Sequence, residues 1–285
     1  MKDLMLDLLM TLDDIVDLNT HPVTQSAYSA ACRSKLHSEG VLVLEGFIRP
    51  EALELMRTEA TAEQDSAYFC AQSHSVYLTP RNPAYLDDHP ANRQVLSSKG
   101  CVCDDMIGAT SPLRVLYDDP TFRVFVATTT GQSELHPYAD SLSSINVHYA
   151  NRDQELGWHF DNSSFAITLL IQKPDAGSRF EYVKALRDAD TGEMNYEGVD
   201  ALLRGAIQPQ VLSIEPGKAV WEFLFEGVAT PRERDEDLAR NLGVQKRPTV
   251  LYMGTFAPYQ GLKLLLQAAV LLQTRIPEVC LLYTS

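Results

Sequence analysis

Basic residues are scarce in this chain. It has 24 lysines and arginines against 38 aspartates and glutamates, so its formal net charge is −14 and its pI is about 4.9. A protein that binds nucleic acid needs cations to neutralise phosphates, and docking onto an anionic membrane surface needs them too. We therefore expect neither nucleic acid nor a membrane among the partners.

Long apolar runs and a regular cysteine framework are also missing. No stretch reaches the length that a bilayer-spanning helix needs. Residues 1–18 carry several acidic groups, whereas a secretory signal starts with basic ones. Five cysteines occur at scattered positions, and the close pair Cys101 and Cys103 lacks the spacing of a zinc knuckle. These absences predict reduced thiols and a cytoplasmic location.

One stretch, residues 145–183, concentrates the features that carry chemistry. It reads INVHYANRDQELGWHFDNSSFAITLLIQKPDAGSRFEYV. His159 and Asp161 are two residues apart, and in an extended strand such residues project to the same face. An imidazole and a carboxylate are two of the three ligands in the 2-His-1-carboxylate set that binds ferrous iron. The tripeptide alone is also compatible with a surface His beside an Asp, so its flanking strands carry much of the argument.

This stretch resembles the core of the iron(II)/2-oxoglutarate-dependent oxygenases. More narrowly, it is similar to the branch that contains amino-acid halogenases and their hydroxylating relatives. The resemblance runs over residues 25–218 and is densest at 136–217. Halogenases of this branch have Gly or Ala in place of the carboxylate, so that chloride can bind the iron. Because this chain has Asp161, the resemblance implies a hydroxylase.

The resemblance implies a fold, a cofactor set and a substrate class. The fold is α+β, with a double-stranded β-helix (jelly-roll or cupin-like) core preceded by helices. His159 and Asp161 would bind Fe(II), with 2-oxoglutarate and dioxygen at the open positions and a small amino-acid-like molecule as substrate. Trp158, Asn162 and Ser163 flank the ligands. They either orient the ligands or serve ordinary strand packing and turn hydrogen bonds.

Hydrophobic periodicity predicts the elements around this core. Predicted helices cover 2–18, 26–39 (with Gly40 as the C-cap), 50–64, 112–116, 120–129 and the short segments 193–196 and 199–203. Predicted strands cover 41–48, 145–149, 165–172, 179–183 and 209–214. Residues 65–120 are expected to be largely irregular up to the helix at 112. This long loop holds five residues that either line a substrate cavity or lie on a plain surface loop: Tyr77, Arg81, Asn82, Tyr85 and His89.

The strand at 145–149 adds two candidates for cofactor binding. Alternation places Asn146 and His148 on one face and Val147 on the other. Either polar residue could face the pocket and contact the cofactor. For His148, a hydrogen-bonded histidine beside the barrel is the plainer interpretation, and iron ligation is the alternative.

The pattern breaks after Gly217. The family delivers its second His ligand on the next strand, followed by an Arg that pairs with the far carboxylate of 2-oxoglutarate. This chain has no histidine after His159, and residues 218–245 contain no His followed by Arg. Glu222 or Glu226 is an alternative third ligand. The resemblance therefore implies a barrel whose C-terminal strands are incomplete.

From about residue 230 onward the chain resembles a different family. The phrase PTVLYMGTFAPYQGL and its surroundings are similar to the start of the Rossmann-like C-terminal half of family-4-type glycosyltransferases. The resemblance implies that a strand at Thr249–Met253, a loop and a helix from Gly261 begin a nucleotide-sugar domain in this chain. A plain amphipathic β-α unit without a functional role is the alternative.

Two regions follow from these resemblances: residues 1–228 as an oxygenase-like domain and 229–285 as a glycosyltransferase-like β-α fragment. A join near 218–230 can be a natural fusion, a frameshift or an assembly error. Three functions stay open at this point. They are a dioxygenase, a nucleotide-sugar-dependent glycosyltransferase fragment, and a catalytically dead chimeric product.

Overall fold

The part of the chain that the structure describes contains both α-helices and small, mostly antiparallel sheets, which confirms the α+β class. The computed structural model describes residues 10–138, 144–161, 165–173, 179–187, 192–212, the strands at 219–223, 249–253 and 280–284, and residues 270, 272 and 274–276. The helices are α1 (Leu12–Ile15), α2 (Ser26–Glu39), α3 (Pro50–Glu63), α4 (Pro112–Asp118), α5 (Pro120–Thr130) and α6 (Tyr196–Leu203). None of the helices within these ranges is long and apolar enough to cross a bilayer.

The strands form four small sheets. They are β1 (Val41–Leu44), β2 (Tyr68–Ser75), β3 (Gln94–Cys103), β4 (Asn146–Tyr149), β5 (Phe165–Leu169), β6 (Phe180–Tyr182), β7 (Gln210–Leu212), β8 (Ala219–Phe223), β9 (Thr249–Met253) and β10 (Cys280–Thr284). The antiparallel sheets have the orders β1-β8-β5, β2-β3-β4 and β6-β7, whereas β9 and β10 pair in parallel. Among the described strands, no sheet closes into a barrel.

The predicted N-terminal elements are largely confirmed. Helix α2 has the predicted bounds, and Gly40 ends it in the left-handed region (φ 75°), where its N–H donates to the Leu36 carbonyl at 2.8 Å. Glycine suits that conformation because it has no Cβ to clash. The strand predicted at 41–48 ends earlier, at Leu44. Of the helix predicted at 2–18, residues 2–9 lie outside the described residues. Within residues 10–18, only the single turn α1 is helical.

The prediction that the chain is largely irregular from residue 65 to the helix at 112 is wrong in one respect. Residues 68–75 and 94–103 form the long antiparallel pair β2-β3, with Tyr68 opposite Cys101 and Ser75 opposite Gln94. Sequence patterning missed this pair because one face carries polar and small side chains, so the apolar alternation that marks a half-buried strand is weak. Ser97 and Ser98 of this pair bond Gly157 and Glu155, close to the His-x-Asp motif.

The main core lies between the N-terminal helices, β1 and α5. Helix α5 buries Phe122, Phe125 and Val126, and α2 buries Leu36 against the same cluster. Phe125 is 1% exposed and stacks on Tyr28 with a centroid distance of 5.8 Å. A second, smaller cluster forms around Val76, Tyr77 and helix α6.

We expect Phe125→Ala to lower the free energy of unfolding by about 3–5 kcal/mol, because it removes a fully buried ring and leaves a cavity. The matched control is the neighbouring Val124→Ala, where the side chain is 65% exposed. That control should change stability by less than about 0.5 kcal/mol. Urea unfolding followed by circular dichroism measures both. Equal losses in the two variants would contradict this placement of the core.

Candidate functional site

The segment 155–161 lies along β3 without being a strand. The Ser98 amide donates to the Glu155 carbonyl at 2.7 Å, and the Glu155 amide donates to the Ser98 hydroxyl at 3.3 Å. The Gly157 amide donates to the Ser97 hydroxyl at 2.9 Å. The His-x-Asp motif, for which the sequence analysis assumed an extended strand, is therefore extended without being part of a strand, and the next strand begins at Phe165. The hydroxyls of Ser97 and Ser98 accept hydrogen bonds from the Gly157 and Glu155 amides, which backbone carbonyls would accept in a regular β-ladder.

Alternation still applies to this extended segment. Trp158 and Phe160 pack against the second core cluster, and the Phe160 amide donates to the Val76 carbonyl at 2.8 Å. The Phe160 ring lies 5.4 Å from the Tyr77 ring. Trp158 thus takes part in ordinary core packing, the plainer of its two predicted roles. Because Trp158 and Phe160 face this cluster, the intervening His159 faces the opposite side of the segment.

His159 and Asp161 come together as the sequence predicts. The His159 Nε2 atom lies 3.2 Å from the Asp161 Oδ1 atom. The other ring nitrogen, Nδ1, donates to the Gly157 carbonyl at 2.8 Å, because a carbonyl oxygen can only accept. The side chains remain 30% and 40% exposed. Nε2 and the carboxylate therefore face each other in a half-open position.

The electrostatics of the pair follow from this contact. The hydrogen bond with Asp161 raises the pKa of His159 above its ordinary 6.5, although burial opposes the shift. The same bond lowers the pKa of Asp161 below its ordinary 3.8. Lys99 acts on both groups, since its positive charge opposes protonation of His159 and favours ionisation of Asp161. In the absence of another ligand, both pKa shifts favour the imidazolium–carboxylate form of the pair.

Behind the pair, His74 and Ser97 support the backbone that carries it. The His74 Nε2 atom lies 2.7 Å from the Ser97 hydroxyl, and its Nδ1 donates to the Ser75 carbonyl at 2.9 Å. Ser97, which is buried, also accepts from the Gly157 amide. The His74 and His159 rings meet edge to face at 6.0 Å. Sequence reasoning missed both supporting residues, because their contact depends on the unpredicted β2-β3 pair.

Strand β4 confirms the predicted alternation. Val147 is buried, whereas Asn146 and His148 are exposed on the other face. The Asn146 Oδ1 atom lies 3.5 Å from the Cys101 thiol, and the His148 Nε2 atom lies 3.4 Å from the Lys99 Nζ atom. Cofactor binding by Asn146 and His148 stays a prediction.

His148 differs electrostatically from His159. Desolvation by the surrounding protein and the Lys99 charge together lower the pKa of His148 to about 4, although Asp161 opposes both. Since part of the His148 ring is open to solvent, the Lys99 ammonium at 3.4 Å is the better-defined cause. His148 is neutral at physiological pH, and its Nε2 accepts from Lys99. Within the described ranges, no group of three or more His, Cys, Asp or Glu residues is placed to hold a metal ion.

Several predicted site residues cannot be related to the pair. Asn162, Ser163 and Glu226 lie outside the described residues. The backbone of Glu222 lies in β8, paired with Val41 and Ala166 on its two sides.

Three of the five predicted cavity residues, Tyr77, Tyr85 and His89, lie in or next to the second core cluster. The Tyr77 hydroxyl donates to the Met194 carbonyl at 2.6 Å. Tyr85 and His89 stack on each other at 3.9 Å, and both contact the ring of Tyr196. The two remaining residues have polar partners elsewhere in the loop: Arg81 pairs with Asp87, and the Asn82 amide donates to Asn92. Their observed partners favour loop folding over the cavity interpretation for Arg81 and Asn82.

The pair fits two positions of a metal centre. Metal-binding histidines commonly donate their second ring N–H to a carbonyl, which orients the free nitrogen toward the ion. His159 does this through Gly157. Two ligand atoms about 2.1 Å from one ion, at right angles, lie about 3.0 Å apart. The observed 3.2 Å between Nε2 and Oδ1 is close to that separation.

No protein-family model matches this chain, and no curated protein is significantly similar to it.

We expect Gly157→Ala to displace the pair. A Cβ at Gly157 would lie 2.6 Å from the Leu96 carbonyl oxygen, so the segment would have to move away from β3. The matched control is Gly108→Ala, where a Cβ has nothing within 4 Å and φ is not positive. An NMR titration of His159 in each variant is the measurement. The raised pKa should fall toward 6.5 in Gly157→Ala and stay raised in the control. An unchanged pKa in Gly157→Ala would contradict this close approach.

We also expect the pair to stabilise the fold most between about pH 4 and about pH 6.5. A raised His159 pKa contributes stability below 6.5 that is lost as pH rises through the folded value. A lowered Asp161 pKa contributes stability above 3.8 that is lost as pH falls through the folded value. Asp161→Asn should therefore reduce the free energy of unfolding more at about pH 5.5 than at about pH 9. A loss that is the same at both pH values would contradict the ion pair.

Proposed function

We propose that this chain is a non-haem iron(II)/2-oxoglutarate-dependent dioxygenase of the hydroxylase type, acting on a small amino-acid-like substrate. The observation that carries the proposal is the orientation of His159. Its Nδ1 is held by the Gly157 carbonyl, and its Nε2 faces the Asp161 carboxylate at 3.2 Å. The acidic partner at this position favours oxygenation over halogenation, because it occupies a ligand position that a halide would need.

The arrangement of the sheets is compatible with a jelly-roll core. A double-stranded β-helix has two facing antiparallel sheets, with its site between them. In this chain β1-β8-β5 and β2-β3-β4 supply two three-stranded antiparallel sheets. The segment from Tyr149 to Phe165, which contains the pair, runs from the second sheet to the first. We therefore propose that these two sheets are parts of such a core.

Under this proposal, each residue near the pair has a definite task. His159 and Asp161 hold the ion, and the Gly157 carbonyl fixes the imidazole tautomer. Trp158 and Phe160 pack into the second core cluster, which excludes water from the inner side of the segment. Bound ferrous iron and 2-oxoglutarate would supply the activation of dioxygen, which is cofactor chemistry. The partly exposed sides of His159 and Asp161 leave an approach for a small substrate.

The His ligand followed by an arginine for 2-oxoglutarate, which the resemblance places between residues 218 and 245, is absent because no histidine follows His159. Two protein ligands bind a metal ion more weakly than three, so the chain has reduced affinity unless a further donor joins them. An inactive chimeric product is therefore the main alternative. The two differ in one measurable property, which is specific ferrous binding at His159.

The C-terminal region favours a second candidate. Strands β9 and β10 pair in parallel, with Thr249 opposite Cys280. Parallel neighbours need a crossover connection, usually helical, and residues 270, 272, 274 and 275 between them are helical. This β-α-β arrangement supports a Rossmann-like unit of the glycosyltransferase type. It would bind a nucleotide sugar as part of such a domain.

We expect the full chain to bind ferrous iron under anaerobic conditions and to lose this binding in His159→Ala. Asp161→Asn should weaken binding by about 10- to 100-fold, because a neutral amide is a poorer ligand than a carboxylate. The matched control is His37→Ala, since His37 is exposed on α2 and remote in sequence from the pair. Calorimetric titration measures the affinity. Adding air and 2-oxoglutarate then tests for succinate.

Iron binding that survives in His159→Ala would contradict the proposed centre. Binding that is lost equally in His37→Ala would indicate nonspecific binding and would contradict it too. Specific binding without succinate would support the centre and favour the inactive product over the dioxygenase.

A further inference from the structure

Lys99 occupies a defined place beside the pair. Strand β3 presents Ser97, Lys99 and Cys101 on one face, because residues two apart share a face. Ser97 contacts the segment that carries His159, and Cys101 lies directly opposite His148 on β4. Lys99 therefore lies between the His159 segment and His148. Its half-buried side chain is consistent with that position.

The ammonium of Lys99 has unused hydrogen-bonding capacity. Its Nζ atom lies 3.4 Å from the His148 Nε2 atom, which takes one of its three N–H donors. In the described part of the chain, Lys99 pairs with no carboxylate at ion-pair distance, although it is near enough to interact with Asp161. A half-buried cation with spare donors is an unfavourable arrangement unless an anion or water satisfies it.

The charge balance points the same way. Lys99 carries one positive charge, and Asp161 carries one negative charge. His148 adds no charge, since it accepts from Lys99. Under the proposed function, a divalent ion at His159 and Asp161 would add two positive charges. A carboxylate is the anion that restores balance and also accepts hydrogen bonds from an ammonium.

The geometry points to a carboxylate-binding site at Lys99, next to His148 and opening onto the His159–Asp161 pair. Its ligand is a small carboxylic acid, held at one carboxylate by the ammonium. This inference deepens the proposed function and, for an acid that also contacts the iron, rests on it. The carboxylate can come from the 2-oxo acid co-substrate or from an amino-acid substrate, and the two sources are distinguishable.

The test is calorimetric titration of the full chain and its Lys99→Gln, Lys99→Arg and Lys35→Gln variants. Lys35 is exposed on α2 and serves as the control for loss of one lysine charge. The first probes, with ferrous iron under anaerobic conditions, are 2-oxoglutarate and 2-oxopentanoate, which lacks the far carboxylate. Glutarate without iron is a further probe. Free L-amino acids with apolar, acidic and basic side chains, each paired with its carboxamide, complete the set.

We expect Lys99→Gln to weaken at least one carboxylate ligand by about 10- to 100-fold, the usual value of a charged hydrogen bond. Lys99→Arg should retain most of the affinity, and Lys35→Gln should retain all of it. If Lys99→Gln loses affinity for 2-oxoglutarate but not for 2-oxopentanoate, the site binds the far carboxylate of the co-substrate. If Lys99→Gln loses affinity for an amino acid but not for its carboxamide, the site binds the carboxylate of the substrate.

Unchanged affinity for every carboxylate in a folded Lys99→Gln variant would overturn the inference, and so would an equal loss in Lys35→Gln. Circular dichroism establishes folding, and Lys99→Arg provides a second variant that keeps the charge. The proposed function fails separately, through absent or nonspecific iron binding. Glutarate binding that depends on Lys99 without iron would support the carboxylate site even in that case.

Discussion

The hydrogen bonds between β3 and the segment 155–161 are the constraint on which the candidate site depends. Ser97 and Ser98 bond this segment through their hydroxyls and backbone, and no regular ladder replaces these contacts. A Cβ atom at Gly157 would lie 2.6 Å from the Leu96 carbonyl oxygen, so only glycine fits there without a shift of the backbone. This close approach brings the Gly157 carbonyl to His159 and so sets the direction of the imidazole.

The second determinant is charge. A buried or half-buried ion is stable only when its partners compensate for lost hydration. Here one carboxylate, Asp161, interacts with His159 directly and with Lys99 at longer range. His148 remains neutral beside the same lysine. The pair and its neighbours therefore place one carboxylate beside a lysine and two histidines, although the whole chain is strongly acidic.

Prediction from sequence succeeded where a short-range pattern determines the structure. Helix α2 with its Gly40 cap, the alternation on β4 and the strand at Phe165 follow from periods of 3.6 or 2 and from glycine's conformational freedom. It failed for β2-β3, because a strand with a polar face has no clear apolar alternation. The segment around His159 is extended without forming a strand for a related reason, because serine hydroxyls accept hydrogen bonds from part of its backbone.

The chain's charge, its α+β class and the proximity of His159 and Asp161 were determined by the sequence alone, because each depends on composition or on residues a few positions apart. The roles of His74, Ser97 and Lys99 were decided only by the tertiary structure. His74 lies 85 positions from His159 in the sequence, Ser97 lies 62 and Lys99 lies 60, and they come near it because β3 packs beside the segment that carries His159. Contacts of that kind depend on strand pairing and register, which no local pattern in this chain encodes strongly.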